Sequence, residues 1–178
     1  EHDYAFLLVR EAISGLLPEE FPYLQMVIAD SEIETGKTTV VAGYAAGFLG
    51  GITVEKELYP VSAISKIMEL FTFGDQALDL FSVGGSIVAQ KGSSGGAVVN
   101  ENGELMGIIV TSTEATNTAE RDLRAITISH INRSLSDNRG SSLSSLLLGD
   151  LDSKADNFND FEAPNLTEIL VKSLEGVQ

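Results

Sequence analysis

Ser94 stands in the run Gly92-Ser93-Ser94-Gly95-Gly96, between the apolar segments Ile87-Val88-Ala89 and Ala97-Val98-Val99. A serine works as a nucleophile when a base takes its proton and fixed donors hold the oxyanion that its attack creates. A glycine turn supplies the donors, because a residue without Cβ lets the peptide aim its N–H inward. The base is not supplied locally. The chain has two histidines, His2 and His130, and both lie far from Ser94 in sequence.

Three readings compete for the turn. Gly and Ser are common loop residues, so a flexible surface loop is the plain alternative. The stretch also fits G-x-S-x-G, the elbow of an α/β-hydrolase, but that elbow must lead from a strand into a helix. Here β-favouring Ala97-Val98-Val99 follows, and the hairpin signal Asn102-Gly103 arrives at once, which leaves no room for a helix. The third reading is a serine turn between two strands, with Asn102-Gly103 joining Ala97–Val99 to Leu105–Val110.

In that third form the run from Gly92 to Ile108 resembles the trypsin-like serine peptidases, and within them the bacterial, HtrA-like branch. The resemblance implies that Ser94 is the nucleophile and that the N–H groups of Gly92 and Ser94 form the oxyanion hole. The segment Asp30 to Tyr44, with a glycine turn at Gly36 and an apolar strand ending in Gly43-Tyr44, resembles the family's entry into its second barrel. The same Gly36-Lys37-Thr38 is the tail of a phosphate-binding P-loop, but that motif needs a glycine where Ser31 stands, and Glu32 and Glu34 repel phosphate. His2-Asp3-Tyr4-Ala5-Phe6-Leu7-Leu8-Val9 resembles the strand that carries the family's catalytic aspartate. By that match Asp3 orients the histidine; the plain alternative is a surface aspartate at a chain end.

The family's histidine lies upstream of its aspartate, so the resemblance covers about residues 1–136 and expects the base before Glu1. His2 adjoins Asp3 on an expected strand and points to the other face. His130 falls in an expected helix, where a packed or solvated histidine is the ordinary outcome. Taken alone, the chain is therefore expected to be nearly inactive. The rival expectation is a degenerate, non-catalytic barrel that binds peptides.

The resemblance also maps a substrate pocket to Val88, Ala89 and Gln90, with Val110, Thr111 and Ser112 on the opposite wall. No carboxylate stands at the floor, so Lys or Arg is disfavoured as guest and small or medium aliphatic side chains are expected. Ser93 replaces the aspartate that animal zymogens use for activation, so an ion pair to a new N-terminus is not expected.

Composition narrows the function further. The 178 residues carry 26 acidic and 11 basic side chains, a net charge of −15. That balance argues against nucleic acid and against anionic membrane surfaces, and solubility is its simplest meaning. With no cysteine, disulfides and thiolate metal sites are excluded. No cofactor or metal is expected, and the partner is a polypeptide substrate. No apolar run reaches the length of a membrane span. The bacterial branch implies an extracytoplasmic setting.

The fold class that results is mainly β: an antiparallel six-stranded barrel, then a short C-terminal helix and an acidic tail. Residues 1–22 are expected to hold the end of a first barrel (strand Tyr4–Val9) and a connector. Residues 23–136 would form the second barrel, with strands at Leu24–Ala29, Thr38–Ala42, Ile52–Val54, Ser82–Ala89, Ala97–Val99 and Leu105–Thr111. Ile64–Phe71 fits a strand or a short helix. Thr127 caps a helix whose Ile128, Ile131 and Leu135 share a face. Residues 137–178 read as a linker, a disordered acidic stretch over Asp150–Glu162, and an amphipathic helix from Pro164 that docks on its own chain or, alternatively, on a partner.

Overall fold

Alternation of β-branched residues starts the barrel. In Thr38–Gly43 (β1), Thr39, Val41 and Gly43 point inward and are buried, while Val40 faces out. The computed structural model describes residues 4–46, 59–74, 77–113 and 115–176. After β1 come β2 (Val61–Phe71), β3 (Leu80–Val83), β4 (Ala97–Val99), β5 (Leu105–Ser112) and β6 (Leu123–Thr127). All six pair antiparallel and close in the order β1-β2-β3-β6-β5-β4. Closure leaves no open sheet edge, and the inward side chains Val41, Ile67, Phe81, Val98, Met106 and Ile109 fill the interior.

The chain divides into two compact units. The first comprises the described residues of 1–4 and 21–140, the second those of 5–20 and 141–178. In the first, β6 runs directly into helix α1 (Ile128–Arg139). Thr127 accepts the His130 N–H as N-cap, and Gly140 ends the helix at φ 63°. In the second, α2 (Leu143–Leu147) precedes α3 (Leu151–Asn157), which continues through a π-helical segment, Phe158–Glu162, into α4 (Ala163–Glu175). Arg10 binds Asp152 at 3.0 Å and Asp156 at 2.7 Å, which ties residues 5–20 to α3.

Several expectations change. Tyr4–Val9 is not a strand; Leu7 is 90% exposed, and no described strand offers these residues a ladder. Leu24–Ala29 makes only a parallel bridge, Met26 to Leu105. The strand expected over Ser82–Ala89 is β3, which stops at Val83, because the chain then turns to carry Val88 and Ala89 into the core. Ile64–Phe71 is strand, and β6 was not anticipated. Asp150–Glu162 is helical rather than disordered: Asp150 caps α3 by accepting the Ser153 N–H at 3.0 Å. The α4 residues Leu166, Ile169, Leu170 and Leu174 remain exposed. Ile52–Val54 lies outside the described residues.

Candidate active site

Two positive-φ glycines build the turn that carries Ser94. Gly92 has φ 94° and Gly95 φ 85°, in the left-handed region open to glycine. A Cβ on Gly92 would also stand 2.7 Å from the Tyr44 carbonyl oxygen, so the close approach of β1's exit requires glycine twice over. Between them the two serines have opposite environments. Ser93 is 1% exposed, and its hydroxyl donates to the Val88 carbonyl. Ser94 is exposed at the tip.

The backbone N–H groups of the turn divide in a telling way. Ser93 N–H donates to Gln90 O at 3.3 Å, Gly95 N–H to Ile109 O at 2.8 Å, and Gly96 N–H to Ser93 O at 2.9 Å. Among the described residues, the N–H groups of Gly92 and Ser94 donate to no carbonyl. An unpaired N–H is tolerated where water or a ligand can reach it, as at this exposed tip. These two flank the Ser93 N–H, which is fastened to Gln90 O.

Ser94 Oγ makes one hydrogen bond among the described residues, to the Val110 carbonyl at 3.5 Å. Val110 sits at a bulge: Ile109 pairs with Ala125 and Thr111 with Arg124, so Val110 has no partner across β6. The bulge frees its carbonyl toward the turn.

Of the other sequence-derived site residues, Asp3 lies outside the described residues, as does His2. Val88 and Ala89 have no exposed surface and Gln90 is 8% exposed, so their side chains belong to the interior and not to an open wall. Gln90 Nε2 donates to Ile87 O at 2.6 Å, while its Oε1 is buried with no partner among the described residues. Val110 is half-buried. Thr111 and Ser112 lie on β5, and Thr111 and Ser112 pair across to Arg124 and Leu123.

His130 is committed elsewhere. Its Nδ1 lies 2.7 Å from Asp79 Oδ1, and its ring packs edge-on to Phe73. Asp79 also takes Arg133 Nη2 at 2.9 Å and the Phe73 N–H at 2.7 Å. Arg133 bridges on to Asp30 at 3.2 Å, and Ser129 donates to the same carboxylate. Burial pushes the Asp79 carboxyl up, but the bonds from Phe73 N–H, His130 and Arg133 outweigh it and hold the group below its ordinary value. This network fastens α1 to the β2–β3 connection. Sequence reading missed it, as it missed Arg121, whose Nη1 donates to Ala89 O at 2.8 Å. Among the described residues no group of three His, Asp or Glu could hold a metal ion, and no helix is long and apolar enough to cross a membrane.

No protein-family model matches the sequence, and no curated protein matches it. Solved structures do. An inactive-form serine-to-alanine mutant of Rv3671c from M. tuberculosis H37Rv has 18% identity and a TM-score of 0.48, covering 71% of this chain and 58% of that one. The active form of the Rv3671c protease from M. tuberculosis has 20% identity and a TM-score of 0.45, covering 68% and 50%. Kallikrein-related peptidase 10 has 19% identity and a TM-score of 0.45, covering 71% and 63%. The chain thus spans less than two thirds of each of these. The barrel of this chain is closed, antiparallel and six-stranded, and a helix follows directly on its last strand.

Proposed function

We propose that this chain is the serine-bearing barrel of a trypsin-like serine endopeptidase. Ser94 attacks the peptide carbonyl. The N–H groups of Gly92 and Ser94 hold the oxyanion, and a histidine outside this chain, oriented by Asp3, takes and returns the proton. The observation that carries the reading is the pair of N–H groups, unengaged among the described residues, beside an exposed serine hydroxyl. The substrate is a polypeptide.

The test is covalent. A fluorophosphonate probe should label the protein at Ser94 when the sequence preceding Glu1 is present, and Ser94→Ala should abolish labelling. This chain by itself should label slowly, because the base is missing. Rapid labelling of the isolated chain contradicts the missing base, and no labelling of the longer protein contradicts the enzyme.

A second reading is a peptide-binding barrel without catalysis. It is favoured by the Ser94 hydroxyl, whose described partner is a backbone carbonyl and not a base. Peptide binding unchanged by Ser94→Ala, with no labelling of the longer protein, supports this alternative.

A further inference from the structure

We propose that Arg121 makes this barrel select an acidic side chain, aspartate or glutamate, beside Ser94; the inference rests on the peptidase reading and names its substrate class. The juxtaposition is specific. Arg121 Nη1 donates to the Ala89 carbonyl at 2.8 Å, and Nε donates to Ala115 O at 3.0 Å. Ala89 lies between Val88, whose carbonyl takes the Ser93 hydroxyl, and Gln90, whose carbonyl takes the Ser93 N–H. The guanidinium is therefore fastened to the residue that lies between the two holding Ser93, the neighbour of Ser94.

Among the described residues its charge is unanswered. Arg10, Arg124 and Arg133 each meet an aspartate. Arg121 is half-buried and, among the described residues, has no carboxylate within ion-pair reach, in a chain whose net charge is −15. Two carbonyls satisfy two of its five N–H donors but do not neutralise it. A partly desolvated cation of this kind gains most from a carboxylate, which matches the guanidinium fork with two parallel bonds. Lys91, exposed and next to the turn, adds a second positive charge with no described ion-pair partner. A basic guest would meet both, so the same charges that attract an acidic residue reject Lys and Arg. The aliphatic guest implied by the resemblance is the competing outcome.

Peptides that vary only in the residue on the acyl side of the cut test the inference. In the protein with its preceding sequence, kcat/KM for Asp or Glu should exceed that for Ala or Val by about 10- to 100-fold. Arg121→Gln should erase the preference. Arg121→Lys lacks the guanidinium fork that reaches both Ala89 and Ala115 but keeps the charge, and should retain part of the preference; this separates charge from mere loss of structure. Cleavage with an aliphatic preference, or a preference unmoved in Arg121→Gln, overturns the inference and leaves the enzyme standing. A second arm needs no catalysis. Product-like peptides ending in Asp, Glu, Ala or Lys are titrated into this chain by calorimetry. Tighter binding of acid-ended peptides, lost in Arg121→Gln, supports the inference even if no cleavage is found. No cleavage together with equal binding of all four overturns both.

Discussion

The Ser94 hydroxyl lies 3.5 Å from the carbonyl oxygen of Val110, at the outer limit of a hydrogen bond. The carbonyl is available because the bulge at Val110 removes it from the β5–β6 ladder. A contact this long in an exposed position holds the rotamer weakly. The hydroxyl is consequently able to change rotamer at little cost, and its neighbour Ser93 is not.

The adjacent serines should therefore separate function from stability. Ser94→Ala is expected to change unfolding free energy by no more than about 0.5 kcal/mol, as exposed substitutions do. Ser93→Ala removes the donor to the buried Val88 carbonyl and should cost about 1–3 kcal/mol. Urea denaturation of the two variants decides. Equal effects would show that the turn is not anchored through Ser93.

Gly92 and Gly103 share a positive φ, 94° and 78°, but not a neighbourhood. Around Gly103 a Cβ meets nothing, so Gly103→Ala should cost about 1–2 kcal/mol from backbone strain alone. At Gly92 the Tyr44 carbonyl lies 2.7 Å from the Cβ position, so Gly92→Ala adds a clash and must rotate the N–H. We expect Gly92→Ala to be the more destabilised on thermal melting and to lose probe labelling in the longer protein. Gly103→Ala should keep labelling.

These contrasts rest on local chemistry, which is why the turn could be read from residue types. Glycines at 92, 95 and 103 announce positive φ, and Thr127 announces a helix start, without knowledge of the fold. What escaped reading is carried by partners distant in sequence. Arg121 meets Ala89 across 32 residues and His130 meets Asp79 across 51, and no short motif marks either pair. Strand β6 escaped because Leu123, Ala125 and Ile126 leave little alternation; it is buried on nearly all sides. Tyr4–Val9 errs the other way. Its apolar run suits a strand, yet a strand requires a neighbour to take its N–H and C=O groups. Asp150–Glu162 has the composition of disorder, but the Asp150 cap and the Arg10 ion pairs to Asp152 and Asp156 hold it helical.

The Asp79 network should make the barrel acid-sensitive. Its carboxyl is held below the ordinary 3.8, so it stays charged in the folded state at a pH where the unfolded chain binds a proton. As pH falls through the ordinary value, the unfolded state gains the proton first and stability drops; the loss is complete once the folded carboxyl has titrated. The window opens below about pH 4 and contributes nothing to pH dependence near neutrality. Asp79→Asn removes the charge that faces Arg133 and His130 and should cost about 1–3 kcal/mol at pH 7, since Arg133 keeps its pairing with Asp30 but loses its charged partner at Asp79. Its stability should also fall less steeply between pH 5 and 3 than that of the parent, by about the part Asp79 supplies. Urea midpoints measured across that range check both. Parallel pH profiles for parent and variant would mean that the carboxyl titrates alike in the folded and unfolded chains, and that α1 is held to the β2–β3 connection by packing and the bonds to the Leu78 carbonyl.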